Sequence, residues 1–254
     1  MEQRRVCCGS FGGPIASMRD ERQMVVVTGA SIKPVVHITT ASGVTLGSFL
    51  WDDEHGSGVA VALHQQTRGP LVAWGWSSDV QLVIVREGGT VAVRSVSGTL
   101  IKEFTMGAAV AAEGVGAAVV GPSGGVVVVT RLMHVWVVDN LADPRPRQLA
   151  DPPVTADLLP RVRLVVLEPH TTLSGTTEVL LASGGSIWQL DEVSATEHAL
   201  PPPPATARSS AAGATPLITH MAVSQGGAFL AVLTASGRLT VWAADFSRQL
   251  SEFE

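Results

Sequence analysis

Residues 72–104 read "VAWGWSSDVQLVIVREGGTVAVRSVSGTLIKEF", and the order of residue types in this stretch decides the fold class. An aromatic and apolar run leads into a Ser-Asp turn. After it come an unbroken run, "LVIV" from Leu82, a Gly-Gly turn at Gly88-Gly89, an alternating run, "TVAVRSV" from Thr90, and a short closing run. A strand covered on both faces needs continuous apolar residues, whereas alternation marks a strand with one face in solvent. The two glycines supply the positive φ of a tight hairpin, as do Gly184-Gly185 further on. Four antiparallel strands are predicted here.

The same order returns at residues 221–253, "MAVSQGGAFLAVLTASGRLTVWAADFSRQLSEF". Shorter echoes are "QMVVVTGASIKPVVHITTASG" from Gln23, "GGVVVVTRLMHVWVVDNL" from Gly124 and "EVLLASGGSIWQLDEV" from Glu178. The third strands of these five units are expected to begin near Pro34, Thr90, His134, Ser186 and Arg238, at offsets of 56, 44, 52 and 52 residues. A four-stranded propeller blade takes about 40 to 50 residues. The inner strands are expected at "VVVT" from Val25, "LVIV" from Leu82, "VVVV" from Val126, "VLLA" from Val179 and "FLAVL" from Phe229, with the third strands alternating. A β-sandwich of similar strands would need no such period. The fold class read here is all-β: a WD-like β-propeller, as an incomplete ring of about five blades.

Composition fits. A chain of 254 residues, 46% hydrophobic, can bury a sizeable core, and its 26 Gly and 15 Pro favour short strands and tight turns. The net charge is −5 and the 17 Lys and Arg are scattered, without the cationic stripe that nucleic-acid binding requires. Cys7 and Cys8 are adjacent, a spacing suited neither to a loop-closing disulfide nor to a metal site, which fits a reducing, cytosolic setting. "MEQRRVCCGSFGGPIA" lacks the apolar core of a signal peptide. The apolar stretch Gly114 to Thr130 is broken by glycines and Pro122 and reads as a loop plus a strand, so membrane contact is expected to be peripheral. Residues 52–70 and the proline-rich 201–216 read as surface loops, because proline lacks the N–H that a sheet uses.

Candidate chemistry is sparse. Asp52, Asp53, Glu54 and His55 carry ligand-type atoms, but consecutive loop residues rarely converge on one ion. No histidine pair has zincin spacing, and His37 and His134 read as core or edge residues of strands. "GVGAAVVGPSGG" from Gly114 has neither the Lys-Ser/Thr ending of a phosphate loop nor a dinucleotide fingerprint. No serine stands in a GxSxG elbow, and neither cysteine has a histidine near it in sequence. No catalytic, cofactor-binding or metal-ligating residue is assigned, and no cofactor. Trp51, Trp74, Trp76, Trp136, Trp188 and Trp242 fall at or in expected strands, where packing between blades is favoured over a partner-binding role.

"FGGPIA" (11–16), "PVVHITTASGVTLGSFLW" (34–51), "VAWGWS" (72–77), "FTMG" (104–107), "MAVSQGGAFLAVLTASG" (221–237) and "DFSRQLSEFE" (245–254) together resemble the N-terminal region of the vacuolar protein sorting-associated protein 16 family. The resemblance implies a non-catalytic core subunit of the HOPS and CORVET tethering complexes. These hold endosomal, lysosomal or vacuolar membranes together before fusion. Implied partners are the other class C subunits, with membrane association through them and no nucleic acid. The family pattern has a segment ahead of "GGPIA", a seven-bladed propeller and a long α-solenoid that holds the Sec1/Munc-type subunit. This chain begins near "GGPIA" and stops at "SEFE", so it is expected to be part of the propeller, a fragment without the solenoid. A generic WD-like interaction module, or a propeller enzyme or ligand binder with Asp, Glu and His converging at a channel mouth, stays open beside this reading.

Overall fold

The computed structural model describes residues 4–19, 26–27, 30–31, 35–51, 69–200, 217–224 and 226–253. Among them the chain divides into two compact units, Met1–Val115 with Pro122–Gly125 and Asn140–Pro144, and Gly116–Gly121 with Val126–Asp139 and Arg145–Glu254.

Among the described residues the first unit holds two four-stranded sheets and one two-stranded hairpin. β1 (Arg4–Cys8) and β2 (Ile15–Arg19) are followed by a two-residue hairpin of β3 (Val26–Val27) and β4 (Ala30–Ser31), and then by β5 (Val35–Thr39) and β6 (Thr45–Leu50). The sheet order is β1-β2-β5-β6. The second sheet runs in chain order through β7 (Leu71–Trp76), β8 (Leu82–Arg86), β9 (Thr90–Arg94) and β10 (Leu100–Thr105), and a short helix α1 (Ala108–Glu113) follows it. Alternate residues of β2 and β5 bury Ala16, Met18, Val36 and Ile38 against Leu71, Trp76, Leu82 and Ile84. Both ends of the connection between the two sheets are tied to β8. Arg86 donates to the Trp51 carbonyl, and the Glu87 N–H donates to the Pro70 carbonyl.

The second unit holds three sheets, apart from Val115 itself. They are β11 (Val115–Val120), β12 (Val126–Thr130), β13 (Val135–Val138) and β14 (Arg147–Gln148); β15 (Arg163–Leu167), β16 (Glu178–Ser183), β17 (Ser186–Leu190) and β18 (Ala195–Ala199); and β19 (Ile218–Val223), β20 (Phe229–Thr234), β21 (Leu239–Ala243) and β22 (Gln249–Phe253). β16 explains why an inner strand reads as an unbroken apolar run. Val179 and Leu181 face the core shared with Val127, Val129, Val135 and Val137, while Leu180 and Ala182 face the core shared with Ile218, Leu230 and Val232. Burying one such aliphatic side chain contributes about 1.5–3 kcal/mol.

Among the described residues there are therefore five four-stranded antiparallel sheets, each ordered as the repeat predicts. The expected third strands are third in their sheets: β5, β9, β13, β17 and β21.

Four expectations are corrected. The inner strand of the first unit is not "VVVT", since Val26–Val27 belong to the separate hairpin and β2 takes that place, pairing Ile15 with Thr39 and Ala16 with Ile38. Gly114 to Thr130 is not loop plus strand, because Val115–Val120 is β11, the first strand of the third sheet. Gly116 within it is a glycine because Leu159 packs where a Cβ would sit. Burial does not divide cleanly between strand types. β9 is buried from Val91 to Arg94, whereas β20 alternates and leaves Phe229 exposed. His37 lies on a third strand but is exposed, on the face opposite Val36 and Ile38. The expected loops at 52–68 and 201–216 lie outside the described residues.

Candidate functional site

Antiparallel order gives every sheet two ends. Strands one and two, and three and four, join at one end, and two and three join at the other. The first kind of end carries exposed apolar residues on tight loops: Phe11 between β1 and β2, Val80 between β7 and β8, Leu173 between β15 and β16, and Val193 between β17 and β18. Phe11 and Val80 hold φ of 53° and 58°, as does Phe246 at 56° in the turn between β21 and β22. The left-handed region is costly for side chains of this bulk, so the surrounding turns must impose it. At Phe11 the turn is closed by Gly9 N–H donating to the Pro14 carbonyl and Gly13 N–H donating to that of Ser10.

The fourth sheet is the best built of these ends. From its first loop, Ser174 Oγ donates to Glu178 Oε1 at 2.6 Å, and Gln189 Nε2 donates to Glu178 Oε2 at 2.6 Å. Gln189 Oε1 is 2.9 Å from His198 Nε2, whose hydrogen it accepts once the amide is oriented toward Glu178. The His198 ring stacks on Phe246 of the fifth sheet, with centroids 3.9 Å apart and planes 7° from parallel. The register places Glu178, Gln189 and His198 on the face that bears Leu180 and Ile187. The chain of contacts thus caps the apolar core between the fourth and fifth sheets. Burial holds the His198 imidazole below its ordinary pKa.

A second cluster forms around Arg147. Its Nε and Nη2 donate to the two oxygens of Asp139 at 3.0 and 3.1 Å, and Nη2 also lies 3.3 Å from the Thr177 carbonyl. Nη1 lies 2.9 Å from Glu192 Oε1 as an ion pair without hydrogen-bond alignment. Burial works to raise the Asp139 carboxyl. Hydrogen bonds from Arg147 and Thr177, with the Arg147 charge, outweigh it and hold the group below the usual carboxylate range. Asp191 is held low as well, chiefly by the Val193 N–H, against a smaller effect of burial and with help from Ser194.

The Ser174 hydroxyl meets the Glu178 carboxylate, which shares its other oxygen with Gln189. Both Glu178 oxygens are taken by neutral donors, and among the described residues no group of three His, Cys, Asp or Glu is placed to hold a metal ion. What the arrangement does is fix loops and carry charge.

The residues singled out in sequence lie elsewhere. Asp52, Asp53, Glu54 and His55 are outside the described residues. His134 stands just before β13, with Nε2 3.9 Å from Asp151 Oδ2. Trp51 and Trp76 are buried between the first two sheets, Trp74, Trp188 and Trp242 pack partly buried against cores, and Trp136 is half-buried on β13. Cys7 and Cys8 are free thiols, and burial, with a smaller push from Cys8, drives Cys7 up to about 12. Sequence reasoning passed over Glu178, Gln189 and His198. Their signal is a polar residue on one face of each of three adjacent strands, two positions further along at each step: Gln189 stands opposite Leu180, and His198 opposite Ile187. No helix among the described residues is long and apolar enough to cross a membrane.

Comparison with known proteins agrees with this architecture. The family model described as "Vps16, N-terminal region" matches residues 2–254. Protein VACUOLELESS1 of Arabidopsis thaliana is 27% identical over 248 residues, which are 95% of this chain and 27% of that protein. The vacuolar protein sorting-associated protein 16 homolog of Dictyostelium discoideum is 28% identical over 249 residues, 96% of this chain and 27% of that protein. The chain thus spans about a quarter of the length of these relatives. Among solved structures, the β-propeller domain of Myceliophteria thermophila Cps50 (Swd1) is similar with a TM-score of 0.55 at 13% identity, covering 98% of this chain and 70% of that one. At that identity the likeness shows the fold, a β-propeller, and nothing of activity.

Proposed function

Because the chain belongs to the Vps16 N-terminal-region family, we propose that it is a non-catalytic scaffold in vacuolar protein sorting, the propeller part of a class C tethering subunit of the HOPS and CORVET kind. The observation that carries this reading is the family match over residues 2–254. The fixed, apolar-tipped loops support it, since they suit binding better than chemistry. In this role the chain works at the cytoplasmic face of late endosomes and of the vacuole or lysosome. It reaches the membrane through its partners and needs no cofactor.

The relatives are much longer than this chain. We assign capture of the Sec1/Munc-type subunit to the helical solenoid of such longer proteins and contacts with other class C subunits to the propeller. The test is a pull-down with purified, folded chain and with a version extended through the solenoid. The extended version is expected to recover the Sec1/Munc-type subunit and the chain alone is not. Equal recovery at matched folded protein would put that binding surface within residues 1–254. Failure of both versions to recover any class C subunit would end the scaffold reading.

A further inference from the structure

The fifth sheet buries one face and leaves the other open. Ile218, Leu230 and Val232 face the core shared with the fourth sheet, while the alternate residues of the same strands are exposed or half-buried. Cross-strand register sorts these open residues into rows. His220, Leu233, Leu239 and Phe253 stand side by side across β19 to β22, and Ala222, Ala231, Val241 and Ser251 form the next row. Phe229 begins a third row opposite Ala243. Phe253 is 57% exposed and Phe229 is 51% exposed. Single apolar residues on a surface need no explanation, but a contiguous sheet face whose polar members are only His220 and Ser251 does.

Two properties suit this face to a copy of itself. The first is shape, because the large row of Leu233, Leu239 and Phe253 is a ridge beside the trough of small residues at Ala222, Ala231 and Ser251. A two-fold axis lying between the rows sets each copy's ridge over the other copy's trough, with the sheets about 10 Å apart. The second is charge. The three rows hold no carboxylate, lysine or arginine, and Glu252 stands on the opposite face, opposite Thr240, where it pairs with Arg238. Like can therefore meet like without repulsion.

Size sets the strength. Four strands about 4.8 Å apart, with residues about 3.3 Å apart along them, span about 19 by 17 Å. That is about 300 Å² for each copy, well under the 800 Å² or so of a standard interface.

We propose that the open face of the fifth sheet is a self-association surface, on which two copies of this chain pack sheet against sheet as a weak, reversible two-fold dimer. The proposal stands on unit two alone and is independent of the sorting role.

The test is sedimentation velocity of the purified chain over about 1–200 µM, with reductant present because Cys8 is an exposed free thiol. A monomer–dimer equilibrium with a dissociation constant of about 10–100 µM is expected, undiminished by added salt. A Phe229→Ser, Phe253→Ser double variant is expected to dimerise at least about tenfold more weakly. Ala222→Lys, which sets a charge in the trough at an exposed position, is expected to do the same, so a folding defect in the double variant does not decide the outcome. Leu173→Ser, at an exposed apolar residue of the fourth sheet, is expected to dimerise as the wild type does. A wild-type chain that stays monomeric throughout overturns the proposal, and leaves the face to another cover, such as a further sheet in a longer chain. Dimerisation undiminished in the Ala222→Lys variant, dissociation by salt, or growth into open assemblies larger than a dimer overturns it as well.

Discussion

Arg86 places its guanidinium carbon 4.2 Å from the centroid of the Trp51 ring while its Nη2 donates to the Trp51 carbonyl at 2.8 Å. One side chain thus meets both the ring and the backbone of the same residue. Arg94 repeats half of the arrangement, lying 4.1 Å over Phe49 and donating to Gly98. The outer strand of the first sheet is thereby held to the second sheet by two buried arginines. Lysine cannot reproduce this, because its ammonium lacks the planar fork that stacks and donates together. Arg86→Lys is expected to destabilise the chain by about 1–3 kcal/mol, from the cation–π contact and the charge-assisted hydrogen bond, read from denaturant unfolding. A loss no greater than that of an exposed arginine would refute the role.

Gly47 in β6 faces backbone, where a Cβ would lie within 2.7 Å of the Ser97 Cα. A flexible side chain could move aside, but a turn closed by Ser95 N–H on the Thr99 carbonyl cannot do so freely. Gly47→Ala is therefore expected to cost about 1–3 kcal/mol through overpacking. Gly43→Ala, where nothing stands within 4 Å, tests backbone strain alone, because φ there is +86°. Unfolding curves of the two variants separate steric from conformational cost.

Asp139 gives an acid dependence with a definite sign. Its carboxyl is held below the usual range in the folded chain, so the stability it contributes is present above the unfolded pKa of about 4 and is lost as pH falls through the folded value. Arg147→Ala is expected to lower stability at neutral pH and flatten the acid limb below about pH 4. Melting curves across pH that stay parallel for variant and wild type would contradict this.

His198 works in a higher window. Burial lowers its pKa, so the unfolded chain takes up the proton first. Stability is therefore expected to fall as pH drops below the ordinary histidine value of about 6.5. NMR titration of the ring should give a midpoint below that value, and His198→Phe should remove this part of the pH dependence. A midpoint at or above the ordinary value would show that the Phe246 face favours the imidazolium more than burial opposes it.

Period and strand order were legible in the residues because inner strands packed on two faces must be apolar throughout, as β8, β12 and β16 are. The third strands were found wherever a glycine turn or a histidine marks their start. What misled was size. β11 is built of Gly, Ala and Val and resembles a loop, since the residue that makes its glycine necessary, Leu159, lies more than forty positions on. β2 was missed because "IASM" buries only Ala16 and Met18, a weaker signal than the valines of the nearby hairpin. The polar chain through Glu178, Gln189 and His198 depends on cross-strand register, which no local window displays.

Trp51 and Pro70 are bound by successive residues, Arg86 and Glu87, so the chain leaves the first sheet and enters the second through a single gate. Both anchors lie in or next to β8, so each holds its end of the connection in place without the other. Replacing residues 53–67 with a short Gly-Ser linker should leave the unfolding midpoint nearly unchanged. The gate thus makes the join between the two sheets independent of how many residues separate Trp51 from Pro70.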